Sequence, residues 1–159
     1  MTAQTPQSGL KTVDILLIED QPHDVELVEL ALKDAGVRHV LHVIPDGEDA
    51  LAYVEGHGAY RGVNRPDLVI LDLGLPRLSG HDVLTRLKNN PELKVVPVVV
   101  LTGSREEIDI WRSYREHANA YMIKPVDNEE FMTALRRLVT FFLISAQLPP
   151  RMSAPPGEP

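Results

Sequence analysis

The sequence contains no cysteine, and this absence excludes disulfide bonds, thiolate metal sites and a cysteine nucleophile. It also lacks an uninterrupted apolar run of the roughly 18 residues that a membrane-spanning helix needs. The first residues, MTAQTPQSGLK, have no apolar core of the kind found in secretory signal peptides. We therefore expect a cytoplasmic protein with no membrane partner.

Positive charge is scarce as well, because 16 Lys and Arg residues stand against 23 Asp and Glu, for a net charge of −7. No dense stripe of Lys and Arg interrupts this balance, so we expect no nucleic-acid partner. The six histidines form none of the pairs typical of metal sites, namely HxH, HExxH or a helical i, i+4 pair. We interpret them as surface or packing residues.

Five short apolar runs alternate with helical patterns along the chain. Strands are predicted at residues 13–18, 40–44, 68–73, 95–101 and 120–123. Helices are predicted at residues 22–36, 48–54, 83–88, 105–117 and 128–147, and Asp46 is predicted as the N-cap of the second helix. The strands are almost continuous Val, Ile and Leu, which is typical of parallel strands covered on both faces. The pattern therefore predicts an α/β fold, a parallel sheet with right-handed crossovers and helices on both sides.

The length of 159 residues suits one domain with a substantial core. We assign residues 12–147 to that domain and residues 1–11 to a flexible lead. Residues 148–159, LPPRMSAPPGEP, form a proline-rich tail, which we predict to be disordered.

Reactive side chains follow four of the five predicted strands. In an open parallel sheet, the carboxyl ends of neighbouring strands border one crevice. The residues at these ends are Glu19, Asp20, Asp72, Thr102 and Lys124. A single Asp at such a place is often only a helix cap, and Lys124 taken alone could be an ordinary surface lysine. Suitable groups at four strand ends together favour a shared site.

Carboxylates crowded into one crevice repel one another and need a cation. Oxygen ligands without His or Cys select a hard ion, and a small site that keeps several waters suits Mg²⁺. We expect Asp72 and Asp20 to bind the ion directly, Glu19 to act through water or from further out, and the backbone carbonyl of Gly74 to be another ligand.

A carboxylate can also attack phosphorus and form an aspartyl phosphate. We predict Asp72 as this nucleophile. The metal would neutralise charge on the transferred group, while Lys124 covers one phosphoryl oxygen and the hydroxyl of Thr102 bonds another.

The order and spacing of these residues resemble the response-regulator receivers. The motifs are Glu19-Asp20, the run LDLGLP that contains Asp72, Gly80, Leu101-Thr102-Gly103 and Lys124-Pro125, and the likeness covers residues 13–144. The resemblance implies a flavodoxin-like, doubly wound fold with five parallel strands in the order 2-1-3-4-5. It implies that a histidine kinase phosphorylates Asp72, and that Thr102 and Tyr121 form a signalling switch.

Such a protein would be a phosphoacceptor switch that catalyses only its own phosphorylation and dephosphorylation, and not a classical enzyme. We see no output domain after the last predicted helix, so we expect signalling through protein contacts. Gly74 departs from the larger side chains, such as Asn or Met, that are frequent at this position in the family.

Three alternatives are weaker. A phosphatase of the haloacid-dehalogenase type needs a second Asp two residues after the nucleophile, where this chain has Gly74. A degenerate receiver that binds partners without phosphate usually lacks an acidic residue or the lysine, and all are present here. A flavodoxin would carry a Ser, Thr and Gly phosphate cradle after the first strand, where this chain has Glu-Asp-Gln-Pro.

The last predicted helix carries apolar side chains outside the face that packs on the sheet. Phe141 and Ile144 project away from that face, and exposed apolar side chains mark a contact surface unless the tail folds back over them. The segments 117–121 and 141–150 are similar to single-domain regulators associated with bacterial phytochrome histidine kinases. This resemblance implies a phytochrome-type kinase as partner and a homodimer through Phe141 and Ile144.

Overall fold

The computed structural model describes residues 11–151, so most of the predicted lead and the end of the predicted tail lie outside the described residues. Five parallel strands form one sheet in the order β2-β1-β3-β4-β5. The strands are β1 (Val13–Ile18), β2 (His39–Ile44), β3 (Leu68–Leu71), β4 (Val98–Thr102) and β5 (Ala120–Ile123). The predicted flavodoxin-like order is therefore confirmed.

The helices cover both faces of this sheet. They are α1 (Pro22–Ala35), α2 (Gly47–Glu55), α3 (Gly80–Asn89), α4 (Glu107–Arg115) and α5 (Asn128–Val139), with a short 3₁₀ turn at Gly58–Tyr60 and a π-helical turn at Thr140–Ser145. Helices α1 and α5 pack on one face of the sheet, while α2 and α3 pack on the other. In β1, Ile15 faces the first layer and Leu16 the second, and both are fully buried, as near-continuous apolar strands predict.

Several boundaries differ from the prediction. Strand β4 begins at Val98 instead of residue 95, because Pro97 has no amide hydrogen to donate to a neighbouring strand. Val96 is nevertheless buried, so its side chain packs against the core although the residue precedes β4. The last helix changes to π-helical geometry from Thr140.

The register of the strands places the predicted site residues side by side. Ile18 of β1 pairs with Leu71 of β3, so the residues that follow them, Glu19 and Asp72, emerge next to each other. Thr102 of β4 pairs with Ile123 of β5, so Lys124 follows directly beside Thr102. Parallel strands that end at the same level thus gather these side chains at the carboxyl edge of the sheet.

Gly80 allows α3 to start directly against the phosphoacceptor segment. A Cβ at this position would lie 2.4 Å from the carbonyl oxygen of Asp72 and 2.5 Å from Cα of Leu73. The Gly80 amide donates to the carbonyl of Leu73 at 3.0 Å. The absence of a side chain is therefore what permits this close approach.

The first residues of the predicted disordered tail are bound at the amino edge of the sheet, contrary to that prediction. Arg65 donates to the carbonyl oxygens of Pro149 and Pro150 at 3.3 and 3.4 Å. The guanidinium of Arg151 donates to Asp67 at 2.6 Å and also to Asp14. Two buried carboxylates are stable only beside a positive charge, and Arg151 of the tail supplies that charge to Asp14 and Asp67.

Candidate phosphoacceptor site

The structure brings together the three acidic residues predicted to hold a metal. One carboxylate oxygen from each of Glu19, Asp20 and Asp72 lies within 4.8 Å of the others. Glu19 and Asp72 are buried, at 2% and 7% exposure. Oδ1 of Asp20 is also buried and has no hydrogen-bond partner within residues 11–151. An orphaned buried carboxylate oxygen beside two further carboxylates fits a divalent cation.

Lys124 is the cation that the structure places against this cluster. Its Nζ lies 2.7 Å from Glu19 Oε2, 2.8 Å from Asp24 Oδ2 and 3.0 Å from Asp72 Oδ2. Burial alone would lower the pKa of Lys124, but the hydrogen bonds to Asp24 and Glu19 and the charge of Asp72 raise that pKa above its ordinary value. The lysine is therefore held in its charged form beside the predicted nucleophile.

Asp24 is a member of the site that our sequence analysis missed. It lies in the first turn of α1, immediately beyond the carboxyl end of β1, and its side chain is 17% exposed. The signal that could have identified it is an acidic residue in the first turn of a helix that starts at the edge of the crevice. Asp24 does not directly follow a strand, so the rule that gathers residues at strand ends does not identify it.

The two buried carboxyls differ in their readiness to ionise. Burial raises the pKa of Glu19 to about 7, against the opposing effect of Lys124. Burial would also raise the pKa of Asp72, but Lys124 and the amide of Gly74 outweigh it and lower that pKa below its ordinary value. The amide of Gly74 donates to Asp72 Oδ1 at 3.2 Å. Asp72 is therefore the carboxylate that stays charged, which is the state a nucleophile requires.

Thr102 and Tyr121 lie on neighbouring strands beside this cluster. Thr102 is 3% exposed at the end of β4, and its carbonyl accepts from the amide of Lys124 at 2.8 Å. Tyr121 is half-buried, and its hydroxyl donates to the carbonyl of Ser104 at 3.0 Å. Both predicted switch residues are thus next to the loop that connects β4 to α4.

The predicted contact residues lie in the π-helical turn that follows α5. Phe141 and Ile144 are 58% and 57% exposed, and Phe141 makes an edge-to-face contact with Phe142. The alternative that the tail covers them is wrong for residues 148–151, because that segment instead contacts Arg65, Asp14 and Asp67. None of the helices in residues 11–151 combines the length and the apolar character needed to cross a bilayer.

Known proteins are similar to this chain in sequence and in fold. The sequence matches the family described as response regulator receiver domain over residues 15–136. It is 39% identical to the response regulator Rcp1 of Synechocystis sp., over 85% of this chain and 92% of that protein.

Two solved structures are also similar. The phosphorylated cyanobacterial phytochrome response regulator RcpA is 38% identical with a TM-score of 0.86, over 88% of this chain and all of that chain. The Mn²⁺-bound form of Rcp1 is 38% identical with a TM-score of 0.85, over 87% of this chain and 99% of that chain. The chain therefore belongs to the response-regulator receiver family of two-component signalling, whose members are phosphoacceptor regulators and not classical enzymes.

Proposed function

We propose that this protein accepts a phosphoryl group on Asp72 from the phosphohistidine of a histidine kinase. The observation that carries the proposal is the position of Lys124, whose ammonium bonds Asp72 and Glu19 inside a cluster of three carboxylates. Family membership sets the reaction class, and the geometry supports these residues for it.

In the reaction, an oxygen of Asp72 attacks the phosphorus atom. The new P–O bond forms as the P–N bond to the kinase imidazole breaks, and the electron pair of that bond returns to the imidazole nitrogen. Lys124 pairs with one phosphoryl oxygen, and the Thr102 hydroxyl donates to another. These two groups stabilise negative charge where it develops.

The acidic cluster suits Mg²⁺, which would neutralise charge on the transferred group when bound. We assign Asp72 and Asp20 as direct ligands, the Gly74 carbonyl as a further ligand and Glu19 as a residue that acts through water. The buried, unpartnered Oδ1 of Asp20 supports this assignment. A cation displaces the proton that burial favours on Glu19.

The test is phosphorylation of the full chain by acetyl phosphate in the presence of Mg²⁺, read as the mass of one added phosphoryl group. We expect complete loss of this mass shift in Asp72→Asn, and loss also in the native protein when a chelator removes Mg²⁺. Asp67→Asn is the matched control, because Asp67 is also a buried aspartate but lies at the amino edge of the sheet. A shift that persists in Asp72→Asn would contradict the proposal.

We further propose that Thr102 and Tyr121 transmit the signal. Movement of Thr102 toward the phosphoryl group vacates space, into which the ring of Tyr121 can turn. This rearrangement alters the surface around α4 and β5. We assign the signal to protein contacts at this altered surface, to which Tyr121 on β5 and the loop between β4 and α4 both contribute.

A phytochrome-type histidine kinase is the partner that the relatives support, since RcpA is described as a phytochrome response regulator. Phosphotransfer from such a kinase would take place in the cytoplasm, where ATP supplies the phosphoryl group. Transfer from a purified phytochrome kinase that is no faster than transfer from an unrelated histidine kinase would contradict this assignment.

We also propose a homodimer through the exposed Phe141 and Ile144. Two large apolar side chains that are more than half exposed on one short segment are suited to burial against a second copy. We expect the double variant Phe141→Asp, Ile144→Asp to be monomeric by light scattering. Val126→Asp is the control, because Val126 is also exposed but precedes α5. An unchanged oligomer in the double variant would refute this interface.

A further inference from the structure

Asp24 contacts the lysine of the phosphoacceptor site but lies outside the group of clustered carboxylates. Within residues 11–151, the acidic residues whose oxygens lie within 4.8 Å of one another at this edge are Glu19, Asp20 and Asp72. Asp24 belongs to a different element, the first turn of α1, and its Oδ2 accepts from Lys124 Nζ at 2.8 Å. The contact that links Asp24 to the site is therefore the one with Lys124.

The ammonium of Lys124 has all its hydrogen bonds engaged by carboxylates. A lysine ammonium carries three donors and no acceptor. The three acceptors here are Glu19 Oε2 at 2.7 Å, Asp24 Oδ2 at 2.8 Å and Asp72 Oδ2 at 3.0 Å. A phosphoryl oxygen can therefore receive a full hydrogen bond from Lys124 only when one of these three bonds is released.

Asp24 differs from the other two acceptors in what else it contacts. Glu19 and Asp72 belong to the cluster that fits a divalent cation, so their charge serves that cation as well as Lys124. The salt bridge of Asp24 within residues 11–151 is with Lys124 alone. The Lys124 and Asp24 side chains are only 12% and 17% exposed, so solvent screens this pair little. Asp24 thus competes directly with a phosphoryl oxygen for the ammonium.

We propose that Asp24 is a positioning residue that holds the Lys124 ammonium and thereby limits the affinity of the site for a phosphoryl group. The inference rests on the proposed function, because it concerns how Lys124 reaches a phosphoryl oxygen. Loss of the Asp24 carboxylate frees one donor of Lys124 and removes one negative charge from the crevice. Both changes favour an anionic group on Asp72.

The electrostatics of Lys124 agree with this role. Burial lowers the pKa of Lys124, and the hydrogen bond to Asp24 is the largest of the effects that raise it. Asp24 is therefore a strong partner of the ammonium and not a distant charge.

The experiment titrates the full chain with beryllofluoride, a phosphoryl mimic, at saturating Mg²⁺, and follows binding by fluorine NMR. Asp24→Asn is the test variant, because asparagine has nearly the same shape but only a neutral amide oxygen, which is a weaker acceptor than a carboxylate. Glu26→Gln is the matched control. Glu26 is an exposed residue of the same helix, so this variant removes one carboxylate charge while the three acceptors of Lys124 remain.

We expect Asp24→Asn to lower the half-saturating beryllofluoride concentration about fivefold, the effect of one net hydrogen bond. Glu26→Gln should change this concentration less than about twofold, because solvent screens an exposed charge.

A second measurement tests whether Asp24 acts through Lys124. Nitrogen NMR of the Lys124 ammonium reports how fast its protons exchange with water, and hydrogen bonds to carboxylates slow this exchange. With saturating Mg²⁺, Asp24→Asn should accelerate the exchange several-fold, whereas Glu26→Gln should leave it unchanged. A merely structural role for Asp24 at the start of α1 would alter stability toward urea but not the exchange of the Lys124 protons.

A half-saturating concentration in Asp24→Asn that equals or exceeds the native value would overturn the inference, as would unchanged exchange of the Lys124 protons. Either result leaves the proposed function intact, because the native protein still binds the mimic. Absence of Mg²⁺-dependent binding in the native protein would overturn the proposed function and this inference together. Asp24→Ala keeps the experiment decisive if Asp24→Asn does not fold, because alanine is the strongest helix former.

Discussion

Replacing Arg151 with methionine removes the counter-charge of two buried carboxylates at the amino edge of the sheet. The side chains of Asp14 and Asp67 are 8% and 3% exposed. The Arg151 guanidinium donates to both, and this contact raises the pKa of Arg151 above its ordinary value, first through Asp67 and then through Asp14. Without it, Asp67 Oδ2 keeps the amide of Asp14 at 2.8 Å, but the two negative charges face each other with no guanidinium.

We expect Arg151→Met to lower the free energy of unfolding by about 2 kcal/mol. Removal of one partner from a fully buried ion pair costs roughly 3–5 kcal/mol. The Arg151 side chain is 34% exposed, so solvent screens these contacts and reduces that cost. Methionine retains an aliphatic stem, so the loss reflects the charge and not the packing.

Urea denaturation at neutral pH measures this loss, with Arg65→Met as the matched control. Arg65 contacts the tail through the carbonyl oxygens of Pro149 and Pro150. Arg65→Met should therefore lower the free energy of unfolding by no more than about 1 kcal/mol, the value of an ordinary net hydrogen bond. Both variants remove an arginine that holds the tail, so their difference isolates the neutralisation of the buried carboxylates.

A double variant tests the cause directly. In an Asp14→Asn, Asp67→Asn background neither carboxylate that contacts Arg151 remains, so Arg151→Met should cost much less than in the native chain. If Arg151→Met is as stable as the native protein, the reasoning is refuted, because the arginine then does not neutralise these carboxylates in solution.

Three further predictions concern the phosphoacceptor edge. Gly80→Ala should lower the free energy of unfolding by about 2 kcal/mol in denaturation experiments, because the new Cβ would overlap the Asp72 carbonyl. Gly103→Ala is the control and should lower the free energy of unfolding by less, because a Cβ there would have no atom within 4 Å. Burial raises the pKa of Glu19 from 4.5 to about 7, so the native state binds more protons than the unfolded state in that range and stability falls as pH rises. Calorimetry of metal-free Glu19→Gln should show a smaller fall between pH 4.5 and 7 than the native protein shows, and equal slopes would contradict it. Gly74→Asn should retain its phosphoryl group longer than the native protein in a mass-spectrometric time course. The Cβ position of residue 74 lies 3.9 Å from Asp72 Oδ1, so a side chain there would limit the access of water to the phosphoryl group. Equal or faster loss of the phosphoryl group from the variant would contradict this prediction.

The strands and the chemistry at their ends could be predicted because both depend on local sequence. The bounds of β1 and β5 agree with the prediction, since a run of apolar residues of strand length is recognisable without its neighbours. The meeting of Glu19, Asp72 and Lys124 required only the rule that parallel strands end at one edge. The N-cap predicted at Asp46 is confirmed, because its side chain accepts from the amides of Glu48 and Asp49.

The charged contacts outside this edge could not be predicted. Lys124 and Asp24 are 100 residues apart in sequence, and Arg151 and Asp14 are 137 residues apart. The sequence pattern indicates only a surface or packing role for His81, whereas its ring contacts the carboxylates of Asp109 and Glu116 in the structure. In each case the partner depends on how helices and tail pack on the sheet, which local periodicity does not encode.

The sequence by itself determined the parallel α/β architecture and the type of chemistry at its carboxyl edge. Burial of apolar residues is decided by the pattern within each element, and that pattern is written along the chain. Only the tertiary structure decided that Asp24 joins Lys124, that Asp72 rather than Glu19 is the more readily ionised carboxyl, and that Arg151 closes the opposite edge. These outcomes depend on which charged groups come within a few ångströms of one another in places that exclude water. Electrostatic interactions there are strong enough to shift a pKa or to bind the tail to the sheet.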